Sequence, residues 1–199
     1  MEETMIVYNN TLLHRVKYLA SGKLGGWIES EKNLSQKGNA KVCGNAKVWG
    51  NAKVYGDAEV WGNADVFDNA KVLNRAEVWG NAKVYGDAMV SGDAIVYGNA
   101  EVYGNADIRG DAIVRGGEWR ETPLQIHGSK FVFRVLSKDS ITVGCKTKTF
   151  AEWLETYEKE FSQHGFTEKQ QTEYKRYFNL AAQMYGWDVR LPVEEEKRG

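Results

Sequence analysis

Residues 50–67 read Gly50-Asn51-Ala52-Lys53-Val54-Tyr55-Gly56-Asp57-Ala58-Glu59-Val60-Trp61-Gly62-Asn63-Ala64-Asp65-Val66-Phe67. Three times in succession the chain spells Gly, Asn or Asp, Ala, a polar residue, Val and an aromatic. Outward from this stretch the same six-residue unit runs without insertion from Gly38 to Arg115, thirteen units in all. Position three is Ala in every unit, and position five is Val except at Ile108. Position one is Gly except at Asp68 and Asn74. Asp and Asn are the residues that best tolerate positive φ after glycine, so each unit is predicted to begin on a left-handed corner residue.

Within a unit Ala, x, Val and the aromatic alternate in and out, the period-two signature of a strand with one buried face. The Gly-Asn or Gly-Asp pair then turns the chain. Strands of about four residues separated by identical two-residue corners do not make hairpins, because every corner turns in the same sense. The economical solution is a coil whose successive strands lie on different faces of a prism, each coil stacked about 4.8 Å above the last. Val fills the core, and Ala fits the crowded corner.

An aliphatic residue every six positions, with a small residue four positions after it, resembles the hexapeptide repeat of left-handed parallel β-helices. The resemblance implies three hexads per triangular coil and about four coils for thirteen hexads. It also implies the unusual left-handed crossover and side-by-side homotrimers. Many hexapeptide acyltransferases carry a small or acidic residue after the aliphatic, whereas this chain carries Trp, Tyr or Phe there in most units. That flavour is closer to Ala-x-Val-Tyr-Gly-Asn repeat proteins of bacteria and bacteriophages, many labelled putative transferases. The leader Gly22–Glu29 with Glu31, Asn33, Leu34 and Ser35 resembles the segment preceding such repeats. Val143-Gly144-Cys145 with Phe150-Ala151-Glu152-Trp153 resembles the segment that closes them.

With three hexads per coil, residues eighteen apart share a column. One outward column is Cys43, Trp61, Trp79, Tyr97, Arg115; a second is Trp49, Phe67, Tyr85, Tyr103; the third is Tyr55, Leu73, Ser91, Arg109. The second face also carries Lys47, Asp65, Lys83 and Glu101, alternating in sign, and a corner ladder of Asn45, Asn63, Asn81 and Asn99. Outward aromatics either stiffen the stack by packing on one another, form an interface between copies of the chain, which is the favoured reading, or bind a small-molecule or protein ligand. The candidate interface residues are Trp49, Trp61, Phe67, Trp79, Tyr85, Tyr97 and Tyr103, with Arg109 and Arg115 beside them. The third column is expected to face solvent.

The chain divides by pattern into an N-terminal cap (1–37), the hexapeptide-repeat β-helix (38–116) and a C-terminal appendage (117–199). The cap holds Met5-Ile6-Val7-Tyr8, Leu12-Leu13 and Leu24 to Ile28, enough for a few strands covering the first coil. Ser21-Gly22-Lys23-Leu24-Gly25-Gly26 lacks the spacing of a phosphate loop and reads as a turn. In the appendage, Leu124–Ile126, Phe131–Val135 and Ser140–Val143 read as strands. Two helices follow, with capping boxes at Thr149/Glu152 and Thr167/Gln170 and stops at Gly165 and Gly186. Their apolar stripes are Trp153, Leu154, Tyr157, Phe161 and Tyr174, Tyr177, Phe178, Ala181, Tyr185. The charged tail from Val193 to Gly199 reads as frayed.

The 199 residues balance 26 Lys+Arg against 27 Asp+Glu, which gives no electrostatic footprint for a nucleic-acid polymer. No apolar run reaches a membrane span, and Met1-Glu2-Glu3-Thr4 is no basic signal leader. With only Cys43 and Cys145, the expected address is a reducing cytoplasm, the host's if the gene is phage-borne. Hexapeptide acyltransferases generally use a histidine base, but His14, His127 and His164 all lie outside the repeat, and no coil extrudes a loop. Of the three, His127 lies nearest the last coil; Cys43 reads as an inert thiol. No cofactor and no metal is expected.

The reading is therefore a non-enzymatic structural or interaction protein of phage or prophage type, a homotrimeric rod presenting its C-terminal head to a partner. One alternative is a phage counter-defence factor that binds a host protein or sequesters a nucleotide signal, using aromatics beside Arg109, Arg115 and Arg120. The other is a hexapeptide-repeat acyltransferase.

Overall fold

The computed structural model describes residues 4–188 and 190–193. The tail from 194 onward, read above as frayed, and the first three residues lie outside them. The chain forms two compact units, one ending at Pro123 and the other beginning at Leu124.

The first unit is a solenoid of about five turns built from three parallel sheets. One sheet runs from Leu24–Ile28 through Lys47–Val48, Asp65–Val66, Lys83–Val84 and Glu101–Val102 to Glu118–Trp119. The second runs from Leu34–Gly38 to Asp107–Ile108, and the third from Lys41–Val42 to Ile113–Val114. Partners lie eighteen residues apart, as in Lys71 opposite Lys53 and Glu77 opposite Glu59, which is the three-hexad coil. From Ala46 to Ala106 each inward Ala is at most 1% exposed, and each Val from Val42 to Val114, with Ile108, is 0% exposed. Burying one Val stabilises the fold by roughly 1.5–3 kcal/mol, so the Val columns are the main source of stability.

Positive φ occurs at the first position of all thirteen hexads, including Asp68 (57°) and Asn74 (61°). The strands differ from expectation in length, most of them spanning only two residues. Interlayer bonding nevertheless continues through the corners: Asn63 N–H donates to Gly80 O at 2.8 Å, Asp65 to Ala82 at 2.9 Å and Phe67 to Val84 at 3.0 Å. The corners bend the backbone out of strand geometry without interrupting the ladder.

The coiled stack extends beyond the periodic segment at both ends. Leu24–Ile28 and Leu34–Gly38 pair in parallel with the next coil, and Trp119 lies opposite Val102 as the last rung. Gly25 and Gly26, read above as part of a turn, lie in a strand. A Cβ at either would meet Val42 O at 2.5 Å or Ala46 O at 2.6 Å, so close backbone approach and not turning explains the pair. The turn itself is confined to Tyr18–Lys23, with Gly22 N–H donating to Tyr18 O at 2.8 Å. The cap is a hairpin, Met5–Tyr8 with Thr11–Lys17, added antiparallel to Leu24–Ile28. Its two-residue loop, Asn9-Asn10, has φ of 48° and 59°, as a twisted hairpin turn requires.

The second unit is a four-stranded antiparallel sheet and two helices. Its strands are Gln125–His127, Val132–Ser137, Ser140–Val143 and Lys146–Thr149. The last reads Lys-Thr-Lys-Thr and has no apolar alternation to announce it. Helix α1 (Phe150–Gln163) and helix α2 (Glu168–Tyr185) each begin with the expected capping box. Gly165 (φ 61°) and Gly186 (φ 72°) end them. Trp153, Phe161, Tyr174 and Phe178 form the core with Phe133, and Trp153 Nε1–H donates to Ile141 O at 3.0 Å. Leu154, Tyr177 and Tyr185 of the predicted stripes are only half-buried. Among the described residues no helix is long and apolar enough to cross a membrane.

Candidate functional site

The coil geometry turns sequence period into physical columns. Trp49 stacks on Phe67 (centroids 4.6 Å apart, planes 5° apart), Phe67 on Tyr85 (4.8 Å, 3°) and Tyr85 on Tyr103 (5.1 Å, 6°). On another sheet Trp61 stacks on Trp79 (4.9 Å, 12°) and Trp79 on Tyr97 (4.4 Å, 25°). Adjacent strands hold the rings at the stacking distance, so the arrangement is fixed by the backbone. Seven of the predicted site residues thus form two unbroken columns. Their rings are half-buried against one another, except Trp61, which is 38% exposed. Stacking therefore covers much of the aromatic surface within one chain.

The two arginines do not join these columns. Arg109 lies on the third face and pairs with the neighbouring Asp107. Arg115 is exposed at the end of the Trp61 column, and no ring contact links it to Tyr97 among the described residues.

Two tyrosines outside the repeat complete the picture. Tyr8 meets Trp49 edge-on (5.5 Å, 77°), and its hydroxyl donates to Asp65 Oδ2 at 2.8 Å. That bond, with burial and the carboxylate's charge, raises the phenol's pKa. Lys47 Nζ sits 4.3 Å from the Tyr8 ring centroid. Tyr18 hydroxyl donates to Val42 O at 3.0 Å and accepts from Val42 N–H at 2.8 Å, beside Cys43 Sγ at 3.9 Å. Burial pushes its pKa well above the usual phenol range. The cap thus closes the first end of the Trp49 column and, through Tyr18, contacts Cys43, one coil before Trp61. Neither tyrosine falls in the periodic stretch, and only its apolar flank marks Tyr8 in sequence.

Polar ladders run beside the rings. Asn45, Asn63, Asn81 and Asn99 hand one Nδ2–H···Oδ1 bond up each coil, at 3.2, 3.1 and 3.1 Å. Lys47 pairs with Asp65 at 3.4 Å and Lys83 with Glu101 at 2.7 Å. Asp65 is nearly buried because Tyr8 covers it.

The histidines are scattered: His14 is exposed on the hairpin, His127 lies on a strand of the second unit, and His164 caps α1. Among the described residues no three His, Cys, Asp or Glu side chains are placed to hold a metal ion. In the second unit Glu160 is held below the usual carboxylate range by the hydrogen bond from Lys148 Nζ at 2.6 Å. Comparison with protein-family models and with curated proteins gave no match for this chain.

Proposed function

We propose that this protein is a non-catalytic scaffold whose β-helix associates side by side with two further copies, with residues 124–193 as a separate unit for contacting another protein. The observation that carries the reading is the pair of unbroken aromatic columns on the solenoid. Rings already clamped by their neighbours lose little freedom on association, so the cost of ordering an interface is low. The Trp61–Trp79–Tyr97 column retains exposed surface at Trp61, and Trp and Tyr dominate interface energetics. A heterologous contact closed by three-fold rotation leaves no free face to seed a filament. The likeness to hexapeptide-repeat proteins points the same way. Histidine-free coils support the non-catalytic part.

The test is a pair of variants measured by light scattering. Trp61→Glu with Trp79→Glu should dissociate the assembly, whereas Tyr55→Glu, on the third face, should leave it intact. An assembly that survives Trp61→Glu with Trp79→Glu would remove that column from the interface, and dissociation by Tyr55→Glu would place a contact on the third face.

A further inference from the structure

Most lysines at the outward fourth position of the coils have an acidic neighbour one coil away. Lys41 meets Glu59 at 2.5 Å, Lys47 meets Asp65 at 3.4 Å, and Lys83 meets Glu101 at 2.7 Å. Lys53 and Lys71 depart from this rule by lying directly opposite each other on adjacent parallel strands. Like charges so placed are destabilising. Among the described residues neither ammonium group has an ion pair or hydrogen bond, and the next rung, Met89, brings no charge.

A third ammonium group comes from Lys32, in the single turn Glu31–Asn33. That turn is pinned to the coil by a buried side chain. Asn33, 1% exposed, donates through Nδ2 to Gly50 O at 3.1 Å and Ala52 O at 2.9 Å. Its Oδ1 accepts from Ser30 N–H at 2.9 Å. Lys32, Lys53 and Lys71 together line two adjoining open grooves, one of which also includes Tyr55. No carboxylate is among the lining residues of either groove, and Glu29, the carboxylate hydrogen-bonded to one of them, is engaged by Gly50 N–H through Oε2 at 2.7 Å.

Strand neighbours about 4.8 Å apart let two lysines reach adjacent phosphoryl groups, and ammonium-to-phosphate bonds are strong because both partners are charged. We propose that this groove binds an oligophosphate chain, either free or carried by a nucleotide, which relieves the Lys53–Lys71 repulsion. The site lies within one chain and does not depend on association.

Isothermal titration at low salt with inorganic tripolyphosphate should show saturable binding that weakens as salt rises. Lys53→Gln with Lys71→Gln should weaken it by about tenfold or more, about 1.4 kcal/mol, and Lys32→Gln by less. Lys83→Gln, which removes a paired lysine of another face, should leave it unchanged. The ligand-free Lys71→Gln protein should melt no lower than the parent, which separates lost binding from lost folding. Adenosine triphosphate identifies the source. Equal affinity assigns the phosphate chain alone, whereas tighter binding that Tyr55→Ala reverses adds a base stacked on Tyr55. Absence of saturable binding at millimolar tripolyphosphate, or an equal loss in Lys83→Gln, would overturn the site.

Discussion

Two corner glycines separate the cost of a left-handed backbone from the cost of crowding between coils. Gly92 and Gly110 lie one coil apart with similar φ, 75° and 68°. A Cβ at Gly110 would meet nothing within 4 Å, whereas a Cβ at Gly92 would meet Gly110 N and O at 2.8 Å and Cα at 3.1 Å. Alanine at either position pays about 1–2 kcal/mol for the left-handed conformation. It recovers roughly 0.4–1 kcal/mol from the stiffer unfolded chain. Gly110→Ala should therefore cost between about zero and 1.6 kcal/mol. Gly92→Ala must also move backbone against backbone, which no side-chain rotation relieves, adding roughly 1–3 kcal/mol of overpacking. Urea unfolding followed by tryptophan fluorescence reads the difference. Equal losses, or a larger loss for Gly110→Ala, would refute the claim that contact with the next corner, and not φ alone, requires glycine at position 92.

Two further outcomes follow from the structure. Ala76 is 0% exposed at a corner, so Ala76→Leu should cost roughly 1–3 kcal/mol; a variant that melts like the parent would contradict the tight corner. In the second unit, the fold favours ionised Glu160, chiefly through Lys148 and with further help from Lys146 and His164. A lowered folded pKa contributes stability above the unfolded value and loses it as pH falls through the folded one. The melting temperature of this unit should drop as pH falls from about 5 to about 3, and Glu160→Gln should flatten that dependence. An unchanged slope would assign the acid sensitivity elsewhere.

The coils were legible because a solenoid repeats one physical problem thirteen times. The corner conformation at Asp68 and Asn74, the inward Ala and Val, the ring columns and the asparagine ladder all follow from the period. Where the period stops, so does legibility. Trp27 and Ile28 sit opposite Lys47 and Val48 as a first rung, yet their neighbours Gly25 and Gly26 satisfy close packing by a different local sequence. Trp119 occupies a valine's place in the last rung, with its Nε1–H donating to Gly116 O at 2.7 Å. Tyr8 reaches Trp49, and Tyr18 reaches Val42 and Cys43, through tertiary folding of the cap, which no spacing encodes. Lys53 and Lys71 were visible as sequence but not as an anomaly. Their meaning appears only against the paired lysines of the other faces.

The most direct test of the account is the mass of the intact protein in solution, measured by light scattering at micromolar concentration. Burying a Trp or Tyr contributes about 2–3 kcal/mol at roughly 25 cal/mol per Å² of apolar surface. Stacking within the chain already covers much of that surface, so the exposed remainder of the seven rings is what offsets the several kcal/mol of lost rotational and translational freedom. The expected particle holds three 22.4 kDa chains, about 67 kDa. A stable 22.4 kDa species would contradict it and leave the columns as internal stiffening of a single solenoid.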